Sequence, residues 1–145
     1  MQSLARRPAD LNASVARFSL GEIARKLNVP VVIATYSDVS KVRNHSTFGL
    51  DFGVNWAEFA AGVDLLCTSG AAVVPNVACH PELGKWSASL VAADIRFLAA
   101  TPLSDFDGWR IGSIAVLASQ QHVARKGINI RELAALGREF VGAGR

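Results

Sequence analysis

Few residues in this 145-residue chain have both the type and the neighbours to do chemistry. Cys79 and His80 are adjacent, which sets a thiol beside an imidazole. Such a pair can begin a thiol redox reaction, hold a covalently attached group or contribute two ligands to a metal. A closed tetrahedral zinc site needs further Cys or His at short spacing, and His122 lies far along the chain. No sequence partner arms Cys79, so two ordinary loop residues are the simplest reading. His45 sits in a polar stretch with no matching nucleophile or carboxylate motif, and reads as a polar residue on a partly exposed strand. Cys67 shares a helical face with Phe59, Val63 and Leu66, the setting of a buried, inert thiol. Arg96 and Asp94 are the only charges inside or beside the central strand. Arg96 could offer its planar fork to an anionic ligand, but an ion pair with Glu82, Asp94 or Asp107 is the simpler reading.

The frame around these residues is set by composition. Half of the residues are hydrophobic, enough for one domain with a real core. Two cysteines and no secretory pattern point to a reducing cytoplasm, because no apolar stretch follows Arg6 and Arg7. No run approaches the ~20 apolar residues a membrane helix needs. The net charge of +3 is unevenly spread. Residues 1–43 hold 7 basic and 3 acidic groups, residues 44–108 hold 2 and 7, and residues 109–145 hold 6 and 2. Both ends are basic and the middle is acidic. There is no internal repeat.

The elements that must position these groups follow from hydrophobic spacing. From Pro8 to Asn28 the pattern is helical, with stripes at Leu11, Val15 and Phe18 and at Leu20, Ile23, Ala24 and Leu27. Ser19 with Glu22 forms a candidate capping box, so two helices are an open alternative to one. "SLGEIARKLNVP" resembles the first helix of a DNA-binding helix-turn-helix. The β-branched run Val31–Tyr36 then reads as a strand where a recognition helix would be needed, which argues against DNA. Lys41–Phe48 alternates poorly, Trp56–Cys67 reads as a helix, and Ala71–Val74 as a short strand closed by Pro75 and Asn76. From Glu82 to Ala93 a loop or short helix supplies Trp86, Leu90 and Val91. Trp86 reads equally as a lid over a small-residue strand or as plain core packing. In the strand that follows, Ile95, Phe97 and Ala99 are expected on one side, with Arg96, Leu98 and Ala100 on the other. Asp107-Gly108 is a tight-turn signal needing positive φ at Gly108, and Trp109–Ala118 returns as a strand covered on both faces. Gly112 implies a close approach. Asn129–Gly142 is an amphipathic helix with Asn129 as cap and Glu132 in the reciprocal position.

"IRFLAATPLSDFDGWRIGSIAVLAS" resembles the hairpin near the C-terminal end of the GAF family, small sensory and regulatory domains. "AAVVPNVACHPEL" resembles the strand and loop before it, with Asn76 where the family usually has Asp. The resemblance spans residues 20–142 of a single GAF-like domain, with residues 1–19 as a helical extension. It implies an α+β, GAF/PAS-like fold, with a central, mainly antiparallel sheet and the terminal helices on one face. The segment 77–93 is then expected on the other face. It further implies a candidate small-molecule pocket at Asn76, Cys79, His80, Trp86, Arg96, Leu98 and Ser113, with the ligand and any cofactor unknown. Output is expected through a homodimer of the terminal helices or a signalling partner. Two enzymatic or covalent relatives bear on Cys79. Bilin-binding photoreceptors carry a GAF Cys next to His, but nearer the following strand and with a motif this chain lacks. Free-methionine sulfoxide reductases are single GAF domains with several cysteines, whose spacing Cys67 and Cys79 do not match. A sensor is therefore expected, with the reductase as its alternative and a ligand-free scaffold as a third reading.

Overall fold

A computed structural model describes residues 13–37, 43–49, 56–79, 87–104, 107–119 and 129–143. In chain order the elements are α1 (Ala13–Leu27), β1 (Val31–Ser37), β2 (Arg43–Phe48), α2 (Trp56–Leu66), β3 (Ala72–Val74), a 3-10 turn (Val77–Cys79), α3 (Ser87–Ala92), β4 (Phe97–Ser104), β5 (Arg110–Ala118) and α4 (Ile130–Ala143). The strands form one sheet in the order β2-β1-β5-β4-β3, and every pairing is antiparallel. The fold is α+β, as the sequence implied.

Alternation along β1, β4 and β5 builds two cores. On one side Val32, Ala34, Phe97, Ala99, Leu103, Ile114 and Val116 pack with Leu20, Ile23 and Leu27 of α1 and Leu133, Leu136 and Phe140 of α4. The terminal helices thus share one face of the sheet. On the other side Val31, Ile33, Leu98, Ala100, Ala115 and Leu117 pack with Phe59 and Val63 of α2, with Cys67, and with Val77 and Leu90.

Helix ends explain several local turns. α1 is one continuous helix through Ser19 and Glu22, so the capping-box break does not occur; Glu22 instead pairs with Arg25 one turn on. The helix stops at Asn28, whose φ of 57° is left-handed. The Val29 N–H then reaches the Ala24 carbonyl at 2.9 Å and the Asn28 N–H the Arg25 carbonyl at 3.2 Å, which satisfies two orphan acceptors. α3 ends the same way at Asp94, with φ of 64° and the Ile95 N–H on the Leu90 carbonyl at 2.8 Å. That reversal corrects the expected side of Ile95. It packs with Leu90 and Leu98 in the α2-side core, opposite Phe97 and Ala99, because regular alternation begins only at Phe97.

The hairpin turn has Gly108 at φ of 88°. Trp109, expected inside the returning strand, precedes it and is 73% exposed. Pro102 is tolerated within β4 because β3 ends opposite Ala100 and offers no ladder partner there. α4 is capped by Asn129, whose Oδ1 accepts from the Arg131 and Glu132 N–H groups at 3.0 and 3.1 Å.

Candidate functional site

The α2-side face of the sheet changes character along its length. Around Val31, Leu98 and Leu117 it is wholly apolar. Toward the end of β1 and the start of β5 it carries a polar row. Antiparallel register sets His45, Thr35, Ser113 and Pro102 side by side across β2, β1, β5 and β4. Residues directly opposite across strands project from the same face, about 5 Å apart at Cβ. Thr35 and Ser113 are 3% and 1% exposed. Ser113 Oγ donates to Asp64 Oδ1 of α2 at 3.3 Å. Thr35 Oγ1, also buried, has no hydrogen-bond partner among the described residues. Leaving a buried hydroxyl unmatched costs about 1–3 kcal/mol.

A β-bulge completes the row. Leu103 faces Gly112 and Ser104 faces Arg110, so β5 takes two steps while β4 takes one. The extra residue shifts the alternation and turns Arg110 onto the face of Ser113 instead of the opposite one. From there an Arg110 Nη2 donates to the Cys67 carbonyl just past α2, where a cation also meets the negative end of the helix dipole. Gly112 fits beside the bulge because a Cβ there would lie 2.0 Å from the Thr35 carbonyl oxygen. Burial pushes the Cys67 thiol up to about 11, with Arg110 pulling it down and Asp64 adding to the rise. His45, largely exposed on the outer strand, is drawn below the ordinary histidine value by the burial it does have.

The residues expected to line a pocket fall into different places. Ser113 lies in the polar row, and Leu98 is fully buried in the apolar part of the same face. Arg96 turns to the end of α3, where Nη1 donates to the Val91 carbonyl at 3.0 Å and stands 4.0 Å from Asp94 Oδ1. Asn76 Oδ1 accepts from the Ala78 N–H at 3.1 Å, which shapes the turn into the 3-10 segment. Cys79 ends that segment, exposed, whereas Cys67 is fully buried. His80 and Trp86 lie outside the described residues, as does Leu11 of the expected N-terminal stripe. Sequence reasoning missed Thr35, Asp64 and Arg110. Asp64 was visible as the residue one turn before Cys67, whereas Thr35 sits in a β-branched run that reads as plain strand. Arg110 was not legible, since strict alternation assigns it to the wrong face. Among the described residues, no three His, Cys, Asp or Glu side chains gather as a metal site requires.

No family model and no curated protein sequence matches the chain. Solved structures do. One is a GAF domain/HD domain protein from Geobacter sulfurreducens, 10% identical over 96% of this chain and 94% of that one, with a TM-score of 0.59. A methyl-accepting chemotaxis protein, residues 122 to 287, is 15% identical over 90% and 87%, with a TM-score of 0.61. A type II free methionine-R-sulfoxide reductase from Thermoplasma acidophilum is 9% identical over 94% of both chains, with a TM-score of 0.65. At such identities the likeness is one of architecture. The chain has the fold of a GAF domain.

Proposed function

We propose that this chain is a regulatory domain of signal transduction that senses a small molecule on the α2 side of its sheet. Output passes through its terminal helices to a second copy or a signalling partner. The observation that carries the reading is the contrast between the two faces: the α1/α4 core is hydrocarbon apart from Thr101, whereas the α2 side keeps, at Thr35, a buried hydroxyl without a partner among the described residues. Structural relatives among GAF and chemotaxis proteins support a sensory role. We place the protein in the cytoplasm; among the described residues no helix is long and apolar enough to cross a membrane.

The terminal segments are both basic, so pairing them between two copies is opposed by like charge that salt screens over ~8 Å. Dimerisation should therefore strengthen with added salt. The test is sedimentation of the full chain across a salt series, with and without compounds that raise its melting temperature. A salt-strengthened dimer whose population responds to such a compound is expected. A monomer at every salt, unmoved by any compound, overturns the reading.

The likeness to a sulfoxide reductase favours a second reading, catalysis by Cys79. Exposure of Cys79 suits it, but Cys67 is buried with a raised pKa and makes a poor second thiol. Turnover of free methionine sulfoxide that Cys79→Ser abolishes would promote the enzyme over the sensor.

A further inference from the structure

We propose that the ligand is a small, neutral molecule presenting an amide-like edge, a carbonyl beside an N–H, to Thr35 and Ser113. The proposal rests on the sensor reading and assigns its ligand class. Thr35 Oγ1 is buried without a partner among the described residues, so its O–H is a donor with nothing there to donate to. Ser113 stands directly opposite on β5. Its proton is committed to Asp64, which leaves the oxygen lone pairs to accept. The row therefore offers one donor and one acceptor on neighbouring strands, about 5 Å apart at Cβ. An amide edge carries the complementary acceptor and donor on adjacent heavy positions, and each can reach one hydroxyl.

Charge narrows the class. A carboxylate seated between Thr35 and Ser113 would stand against the Asp64 carboxylate, which Ser113 Oγ contacts at 3.3 Å. A cation would meet Arg110, which the bulge turns onto the same face. With both signs bordering the row, a neutral group meets the least opposition. The rest of the face, Ile33, Leu98 and Ala115, offers only apolar contact, which fits a compact molecule with one polar edge. Thr35 Oγ1 is covered, so the ligand must displace whatever covers it.

The experiment uses the full chain and two variants, Thr35→Val and Thr35→Ser. Melting temperature and calorimetric affinity are measured with uracil, 2-pyrrolidone and nicotinamide as neutral amide-edged probes. Acetate, succinate, putrescine and glycine serve as charged ones. Without any probe, Thr35→Val should melt higher than the parent, because the isosteric change removes an unmatched polar atom. With a neutral probe, the parent's melting temperature should rise. Thr35→Val should weaken that binding about tenfold, the value of one hydrogen bond, and Thr35→Ser should restore it. Binding of charged probes alone, if Thr35→Val weakens it, overturns the ligand class and leaves the sensor reading standing. Neutral-probe binding that Thr35→Val leaves intact overturns the assigned contacts. A Thr35→Val variant that melts lower than the parent shows that the hydroxyl has a partner, and overturns the premise. If no probe binds and Thr35→Val only gains stability, the proposal and the sensor reading fall together, and the scaffold remains.

Discussion

The same three strands, β1, β4 and β5, build both cores, yet the two faces were finished differently. Toward α1 and α4 the interdigitation is hydrocarbon apart from Thr101: Val32, Ala34, Phe97, Ile114 and Val116 against Leu20, Ile23, Leu133 and Phe140. Toward α2 the apolar packing stops partway, and Thr35, Ser113, Asp64 and Arg110 take over. Each face buries apolar area worth roughly 25 cal/mol per Å², so either could have been sealed for stability. Only one was. The difference teaches that a polar end can be kept on one face because the opposite face holds the sheet together.

The comparison breaks most severely where both faces depend on one backbone approach. Gly112→Val brings a Cβ to 2.0 Å from the Thr35 carbonyl oxygen, so β1 and β5 must separate. We expect a loss of about 4 kcal/mol or more by urea unfolding, or no folded protein. Removing hydrocarbon from the sealed face comes next. Leu133→Ala should cost about 3 kcal/mol through lost transfer energy and a cavity, whereas Thr35→Val on the other face should be neutral or stabilising. Equal losses for those two variants would erase the distinction between the faces.

The buried thiol gives a pH-dependent handle on the α2 side. In the unfolded chain Cys67 ionises near 9.0, in the folded protein near 11. Below 9 both states hold the proton and the stabilisation is complete. As pH rises from 9 toward 11, the unfolded state loses its proton first and stability falls, by on the order of 2 kcal/mol. Melting curves of the parent should slope downward across that window, and those of Cys67→Ala should slope less. The smallest effect concerns the end of a helix on the sealed face. Asn129→Ala removes the acceptor for two N–H groups and should cost about 1 kcal/mol, read as a fall of a few degrees in melting temperature.

Much of this architecture was legible because it rests on short-range rules. Alternation through Phe97–Ala100 and the Asp107-Gly108 turn specify the hairpin before any tertiary contact is known. The stripe at Leu133, Gly137 and Phe140 likewise marks a helix that packs on a sheet. What escaped were places where local geometry interrupts a period. A left-handed Asp94 put Ile95 on the other side of the sheet, and a single extra residue turned Arg110 over. The Ser113–Asp64 bond joins residues 49 positions apart, which no spacing rule could link. Thr35 was hidden for a different reason. A β-branched residue in a β-branched run looks like strand propensity at work, and only the structure shows its hydroxyl unmatched.

Tyr36 follows Thr35 directly, and on a pleated strand it projects to the opposite side. Its ring meets Phe140 of α4 edge-on, with centroids 5.9 Å apart. One peptide unit therefore separates the unmatched hydroxyl from an aromatic contact on the last helix. β1 is bonded on both sides, to β2 and β5, so a displacement at Thr35 would carry Tyr36 with it. The shortest route across the sheet is the thickness of a single strand, and it ends at Phe140, buried in the core beneath the last helix.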